Sequence, residues 1–198
     1  LSSNIAEHAD IGSALENAGV PCAYFDVETF DDYLRVLKVF TDITGREALY
    51  QQNGADVQAR VEAAIARKEG HEAPTVLFLR AYSTGVRAKG SDNMTGEMLK
   101  DLGCINIADS EDSLLEDLSL EVILEQDPDF IFVTTMGASE EAAMASLDEL
   151  LLSNPAWASL TAVQEGHFHL LPKDLFHLKP NARWGESYEI LADYLYGK

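Results

Sequence analysis

Cysteine is nearly absent. Cys22 and Cys104 are the only two among 198 residues, and neither stands in a CxxC or Cys/His spacing. That rules against a small disulfide-stapled scaffold and a thiolate metal centre, and reads both as small apolar residues. Basic residues are scarce too: 14 Lys plus Arg face 34 Asp plus Glu, a net charge of -20. Such a surface repels phosphate backbones and anionic lipid heads, so nucleic acid is not an expected partner. Most of the carboxylates read as solvated helix faces. No apolar run approaches ~20 residues, and the opening LSSNIAEHADIG has neither the basic region nor the apolar core of an export signal. Also missing are a GxGxxG or GxxxxGK[ST] loop after a strand, a GxSxG elbow, and any close Ser/His/Asp or paired-carboxylate motif.

What is present is a core. With 46% hydrophobic residues, the chain can bury one large domain or two small lobes. Apolar runs that read as buried strands alternate with amphipathic stretches, the pattern of a parallel sheet covered by helices, so the class is α/β. CAYFDV (Cys22 to Val27) reads as a strand after the helix stop Gly19-Val20-Pro21, and Phe30, Leu34, Leu37 and Phe40 make one face of a helix over about 29–40. From Arg46 to Glu69 good helix formers dominate, with Val57, Val61, Ala64 and Ile65 as a narrow stripe and a bend expected at Asn53-Gly54. At ~1.5 Å per residue such a helix spans ~35 Å, long enough to link two lobes. The division predicted is a partial lobe over 1–45, a connecting helix over 46–70 and a second lobe over 71–198. In that second lobe TVLFLRAY, CINIA, DPDFIFVTTM and GHFHLLP read as strands, STGVRAKGSDN as a loop, and WGESYEILADYL as the last helix.

The helix-strand element SLEVILEQDPDFIFV (Ser119 to Val133) matches the pattern "slE.il...PDfIiv" of the substrate-binding proteins of ABC importers for cobalamin, ferric siderophores and haem. AYSTGVRAKGSDNMTGEMLKDLGCINIA and NPAWASLTAVQEGHFHLLPKDLFHLKPNARWGESYEILADYLY match further blocks of that family, so the chain resembles it from about Arg46 to its end. The resemblance implies Rossmann-like parallel-sheet lobes joined by one long helix, the class III periplasmic-binding-protein fold. It also implies an incomplete amino-terminal lobe, because the first strands and their own "PDlVi" element are not in the sequence. Function follows as capture of an iron chelate (a ferric siderophore, haem or cobalamin) in the interlobe cleft and delivery to the ABC permease. The expected location is periplasmic or extracellular, with a lipid anchor on the full-length precursor. No cofactor and no protein-held metal is expected. The rival reading is a chelatase-like α/β enzyme acting on a tetrapyrrole or small anionic ligand; fold alone does not separate the two, but the missing catalytic motifs weigh against it. A dimer covering the edge of the incomplete lobe is a further expectation.

In parallel α/β lobes ligands lie outside the carboxyl ends of the strands, which directs attention to four loops. The first offers Ser3 and Asn4. The second offers Arg80, Tyr82, Ser83, Arg87 and Lys89. The third offers Thr135 and Met136, and the fourth Phe176, His177, Arg183 and Trp184. Arg80, Arg87, Lys89, Lys173, Lys179 and Arg183 are six of the 14 basic residues, a local cationic spot suited to carboxylate or catecholate oxygens. Arg87 and Arg183 are the expected leading contacts, although loop cations of this kind also pair with neighbouring acids. His167 and His169 alternate along a strand without a third ligand nearby, whereas His177 lies in a loop. By the resemblance, Glu121 would be the carboxylate that docks on permease arginines.

Overall fold

A computed structural model describes residues 6–116 and 118–197; Ser3 and Asn4 lie outside them. The chain divides into two compact units, Leu1–Asp56 and Val57–Lys198.

The first unit carries α1 (Ala6–Asn17), α2 (Phe30–Thr44) and α3 (Glu47–Tyr50). Thr29 and Asp32 close a capping box at the start of α2, and Gly45 ends it at φ 65. The strand expected over Cys22 to Val27 is not formed. Only Phe25 makes a bridge in otherwise irregular chain, because an apolar run becomes a strand only where a ladder partner runs beside it. After α3 the helix continues through a π-turn (Gln51–Ala55) into α4 (Asp56–Ala66). The unit boundary falls inside this helical run. Its wide turn sits at the expected bend, where a Cβ on Gly54 would come within 3.2 Å of Leu37 and of the Tyr50 ring. Glycine lets the turn press against α2.

The second unit opens with the body of α4, whose Val57, Val61 and Ala64 are buried. It continues through β1 (Thr75–Tyr82), β2 (Gly85–Ala88), α5 (Met94–Asp101), β3 (Ile105–Asn106), α6 (Asp112–Glu116) and α7 (Leu120–Gln126). It ends with β4 (Phe130–Thr135), α8 (Glu140–Leu147), α9 (Thr161–Gln164), β5 (Phe168–Leu170), α10 (Lys173–Phe176) and α11 (Trp184–Tyr196). The strand order is β2-β1-β4-β5. β3 pairs in parallel with the first residues of β1, and β2 pairs antiparallel with the last four. The segment read as a loop after Tyr82 is therefore a hairpin: Ser83 and Thr84 turn the chain, and Val86 and Ala88 return to the core beside Leu79 and Ala81.

Both faces of the sheet are covered, as a parallel ladder requires. On one face Leu77, Leu79, Ala81, Ile131 and Val133 join a cluster with Ile123, Leu147 and Trp157. The alternate residues Val76, Phe78 and Phe132 are fully buried on the other, where Tyr194 of α11 meets Phe132 and stacks on His169 at 3.8 Å. Each such apolar side chain contributes ~1.5–3 kcal/mol by leaving water.

The DPD of the signature segment also has a physical role. Asp129 accepts from the Thr75 backbone N–H and hydroxyl, both at 2.7 Å, which ties the start of β4 to the start of β1. Asp127, at φ 39, accepts from the Thr161 N–H at 2.8 Å and its hydroxyl at 2.7 Å, which fixes α9 where the chain leaves α7. Glu121 stands exposed in the first turn of α7, which Ser119 caps. Arg60 grips Glu189 through two hydrogen bonds of 2.8 and 2.6 Å, and Arg67 pairs with Asp193 at 2.8 Å, so α4 is pinned along α11.

Gly96, in the first turn of α5, packs directly on the chain after β2: a Cβ there would lie 2.2 Å from the Gly90 carbonyl oxygen and 2.8 Å from the Ser91 Cα. Both obstacles are backbone, so Gly96→Ala should lower the stability of this unit by ~1–3 kcal/mol or more. Urea unfolding with unchanged midpoint in the variant would contradict that packing.

Candidate functional site

The ladder between β1 and β4 runs in parallel from Val76↔Phe130 to Ala81↔Thr135. It brings two carboxyl ends level, and Arg80 comes to lie directly beside Thr134. The chain leaving β4 stays attached there, because the Met136 N–H donates to the Ala81 carbonyl at 2.8 Å. From the next strand, α10 delivers His177 to the same place. Its position is held from two sides: the buried Thr95 hydroxyl donates to the Phe176 carbonyl at 2.7 Å, and the Ser187 hydroxyl to the Leu175 carbonyl at 3.3 Å. Lys173 reaches across and donates to the Gly137 carbonyl.

This corner is cationic and unsatisfied. Arg80 makes no ion pair among the described residues; its guanidinium carbon lies 5.9 Å from the centre of the Phe78 ring. Its Nε, the Thr134 Oγ1 and the His177 Nδ1 are all buried without a hydrogen-bond partner. Orphaned buried polar atoms are rare and costly, ~1–3 kcal/mol each, so three in one corner identify a place built to meet something polar. Burial, Arg80 and Lys173 together hold the His177 imidazole pKa below the ordinary histidine range, so the ring is neutral at pH 7. The arrangement can receive an anion: a guanidinium to carry the charge, with a hydroxyl and an imidazole to share its oxygens.

The other expected residues fall in different settings. Tyr82 ends β1 half-buried and Ser83 is exposed in the hairpin turn. Arg87 is exposed on β2 and stands opposite Arg80 in the ladder, and Lys89 is half-buried, its N–H donating to the Phe78 carbonyl at 2.9 Å. Like charges facing each other across a strand pair repel, which again favours an anion between them. Thr135 is buried and Met136 half-buried at the end of β4. Phe176 and Trp184 are core residues, 0% and 1% exposed, so their rings are closed off. Arg183 is exposed and doubly neutralised, by Glu186 through bonds of 2.7 and 2.8 Å and by Asp174 at 2.6 Å. These contacts raise its pKa still further and lower that of Glu186. His167 stacks on Phe130 at 4.2 Å, and no group of three His, Cys, Asp or Glu among the described residues could hold a metal ion. Both cysteines are free, and burial pushes the Cys104 thiol up to about 12. Lys173 is one of the six cations that mark the loops in the sequence, whereas Thr134 is not marked there; the apolar run FIFVTT hides it inside a strand, and only its ladder neighbour Arg80 reveals it.

Among curated proteins nothing matches this sequence. Solved structures do. The periplasmic heme-binding protein RhuT of Roseiflexus sp. RS-1, in apo form, superposes with a TM-score of 0.75 at 22% identity, over 98% of this chain and 73% of its own. IsdE of S. aureus complexed with heme gives 0.72 at 17% identity, over 97% and 75%. An ABC transporter substrate-binding protein of Listeria monocytogenes EGD-e gives 0.73 at 19% identity, over 100% and 76%. At such identities the likeness speaks to the fold, the class III arrangement of α/β lobes. The sequence model described as "Periplasmic binding protein" matches residues 1–175, and so takes in β1 to β5 with Arg80 and Thr134, and stops two residues short of His177. The chain therefore belongs to the periplasmic binding proteins, a family that binds solutes and does not transform them.

Proposed function

We propose that this chain captures an anionic iron chelate, haem or a ferric siderophore, and delivers it to an ABC permease outside the cytoplasmic membrane, tethered there by a lipid on its precursor. The observation that carries the reading is the unpaired Arg80 with its orphaned neighbours Thr134 and His177, at the carboxyl ends of two parallel strands. A half-buried arginine with an enclosed, unpartnered Nε carries a desolvation cost, and an anion is the ligand that removes it. The heme in IsdE and the heme-binding descriptions of the other relatives supply the chemical class. Arg80 would take a carboxylate or catecholate oxygen, the Thr134 hydroxyl and the His177 ring would share it, and Thr135 and Met136 would border the ligand. Cobalamin is the weaker member of the group, since it gives Arg80 less charge to meet.

Arg80→Gln should raise the Kd for haem about 10- to 100-fold, as expected for loss of a charge-assisted hydrogen bond. Arg183→Gln, at a cation already held by two acids, should change it by no more than about threefold. Tryptophan-fluorescence titration measures both, and an unaltered affinity in Arg80→Gln defeats the assignment. The site also carries a pH signature. A bound anion opposes the field of Arg80 and Lys173 and so moves the His177 pKa up. Binding then takes up a proton, and affinity should tighten as pH falls from 8 to 5. In His177→Gln the slope should flatten. Glu121→Arg tests delivery: uptake in cells should fall while haem affinity stays the same, and uptake at the parental rate removes the docking role.

A further inference from the structure

Lys173 begins α10, half-buried, and its ammonium donates to the Gly137 carbonyl in the chain between β4 and α8. Among the described residues no carboxylate pairs with it. Its sequence neighbour Asp174 is held instead by Arg183, at 2.6 Å. The charge nevertheless lies close to the Arg80 corner, for after burial and Arg80 it is the third influence that keeps the His177 ring neutral. A cation beside an anion site is thus directed at a neutral oxygen.

The chain it clasps has little else to hold it. Met136 is fixed at one end by the Ala81 carbonyl, at 2.8 Å, and at the other Ser139 caps α8 by accepting from the Ala142 N–H at 3.1 Å. Between these anchors Gly137 and Ala138 are exposed, and among the described residues no other hydrogen bond reaches either of them. Gly137 stands at φ 94 with open space where a side chain would be, so packing does not fix it.

We propose that Lys173 is a displaceable clasp: when an anion fills the Arg80 corner, the ammonium leaves the Gly137 carbonyl for the ligand and frees the chain between β4 and α8. The inference rests on the reading of the corner as a chelate site and adds to it a cation that moves. A charge-assisted hydrogen bond to an anion is roughly twice as strong as one between neutral groups, and it gains from the opposite charge, so the anion outcompetes the carbonyl. A lysine suits the exchange, because its flexible stem can turn the ammonium's donors to a new partner while the backbone stays in place. Arg80 lies in the central ladder and waits for the anion; Lys173 comes to it. The consequence runs against ordinary stiffening on binding, since Gly137 and Ala138 become looser in the loaded protein than in the empty one.

Nitrogen-15 relaxation of the intact chain, empty and loaded with diamagnetic gallium protoporphyrin IX, reads the clasp at the Gly137 and Ala138 amides. Their order parameters should fall from about 0.85 to about 0.6 on loading. Lys173→Met, which keeps the stem and removes the charge, should show the low values without ligand and change no further. Its Kd for gallium protoporphyrin IX should rise about 3- to 10-fold, the difference between losing a charged and a neutral hydrogen bond. The dimethyl ester of the same porphyrin has no carboxylates, so it should leave the two amides ordered in the wild type and bind Lys173→Met equally well. Binding of gallium protoporphyrin IX with the two amides as ordered as before, or more so, overturns the clasp and leaves the chelate site standing. No binding to the wild type removes both.

Discussion

The β1–β4 ladder is the constraint on which the second unit depends. Six consecutive parallel pairs, from Val76↔Phe130 to Ala81↔Thr135, run through the middle of the sheet with apolar side chains on both faces. Parallel pairing needs cover on both sides, so the ladder demands α8 on one face and α11 on the other. It also sets the register at each end. At the amino end Asp129 fixes Thr75; at the carboxyl end the same register puts Arg80 level with Thr134 and lets the Ala81 carbonyl hold Met136. A slip of one residue would turn Arg80 into the leucine cluster and Leu79 out of it. The core and the cationic corner are thus one fact seen from two ends.

That coupling explains what the sequence could reveal. TVLFLRAY and DFIFVTT are long enough, and apolar enough, to announce buried parallel strands, and their spacing around an amphipathic helix announced the α/β class. The loops around them were also legible as the place to look for ligands. Two elements were misread. GVRA after the turn is a short edge strand whose signal, one β-branched residue in four, is too brief to stand above loop chemistry. CAYFDV has the composition of a strand, yet pairing is a property of two segments, and Phe25 alone finds a bridge.

The candidate corner lies among the loops that the sequence singles out, and its members differ from those expected to lead. From sequence Arg87 and Arg183 are the leading contacts, and Arg80 is one loop cation among several. Structure separates them by their acids, and this is where distance decides. Arg183 has Glu186 three residues on and Asp174 beside it, both within 2.8 Å, and gains nothing further from an incoming anion that it does not already have. Arg80 has an aromatic face, a hydroxyl and a neutral imidazole around it, none of which cancels its charge. Partner count cannot be read from linear spacing, because the residues that would supply it come from β4 and α10, 54 and nearly 100 positions away.

Electrostatics at the two places also work on different scales. Long-range attraction cannot steer an anion to this chain: its net charge of -20 repels an anion close to the surface and is largely screened beyond a Debye length, ~8 Å at physiological salt. In the proposed reading the attraction is therefore one of contact: a local field inside a partly dry corner, where a guanidinium is worth several times what it is at the surface. The acidic exterior then becomes useful in a second way. It discourages small anions from collecting at exposed basic points, several of which carry their own carboxylates, as Arg35, Lys38, Arg60 and Arg67 do. Arg80 differs from the exposed cations in its burial: its Nε is enclosed without a partner beside the face of Phe78, so charge and apolar surface meet there.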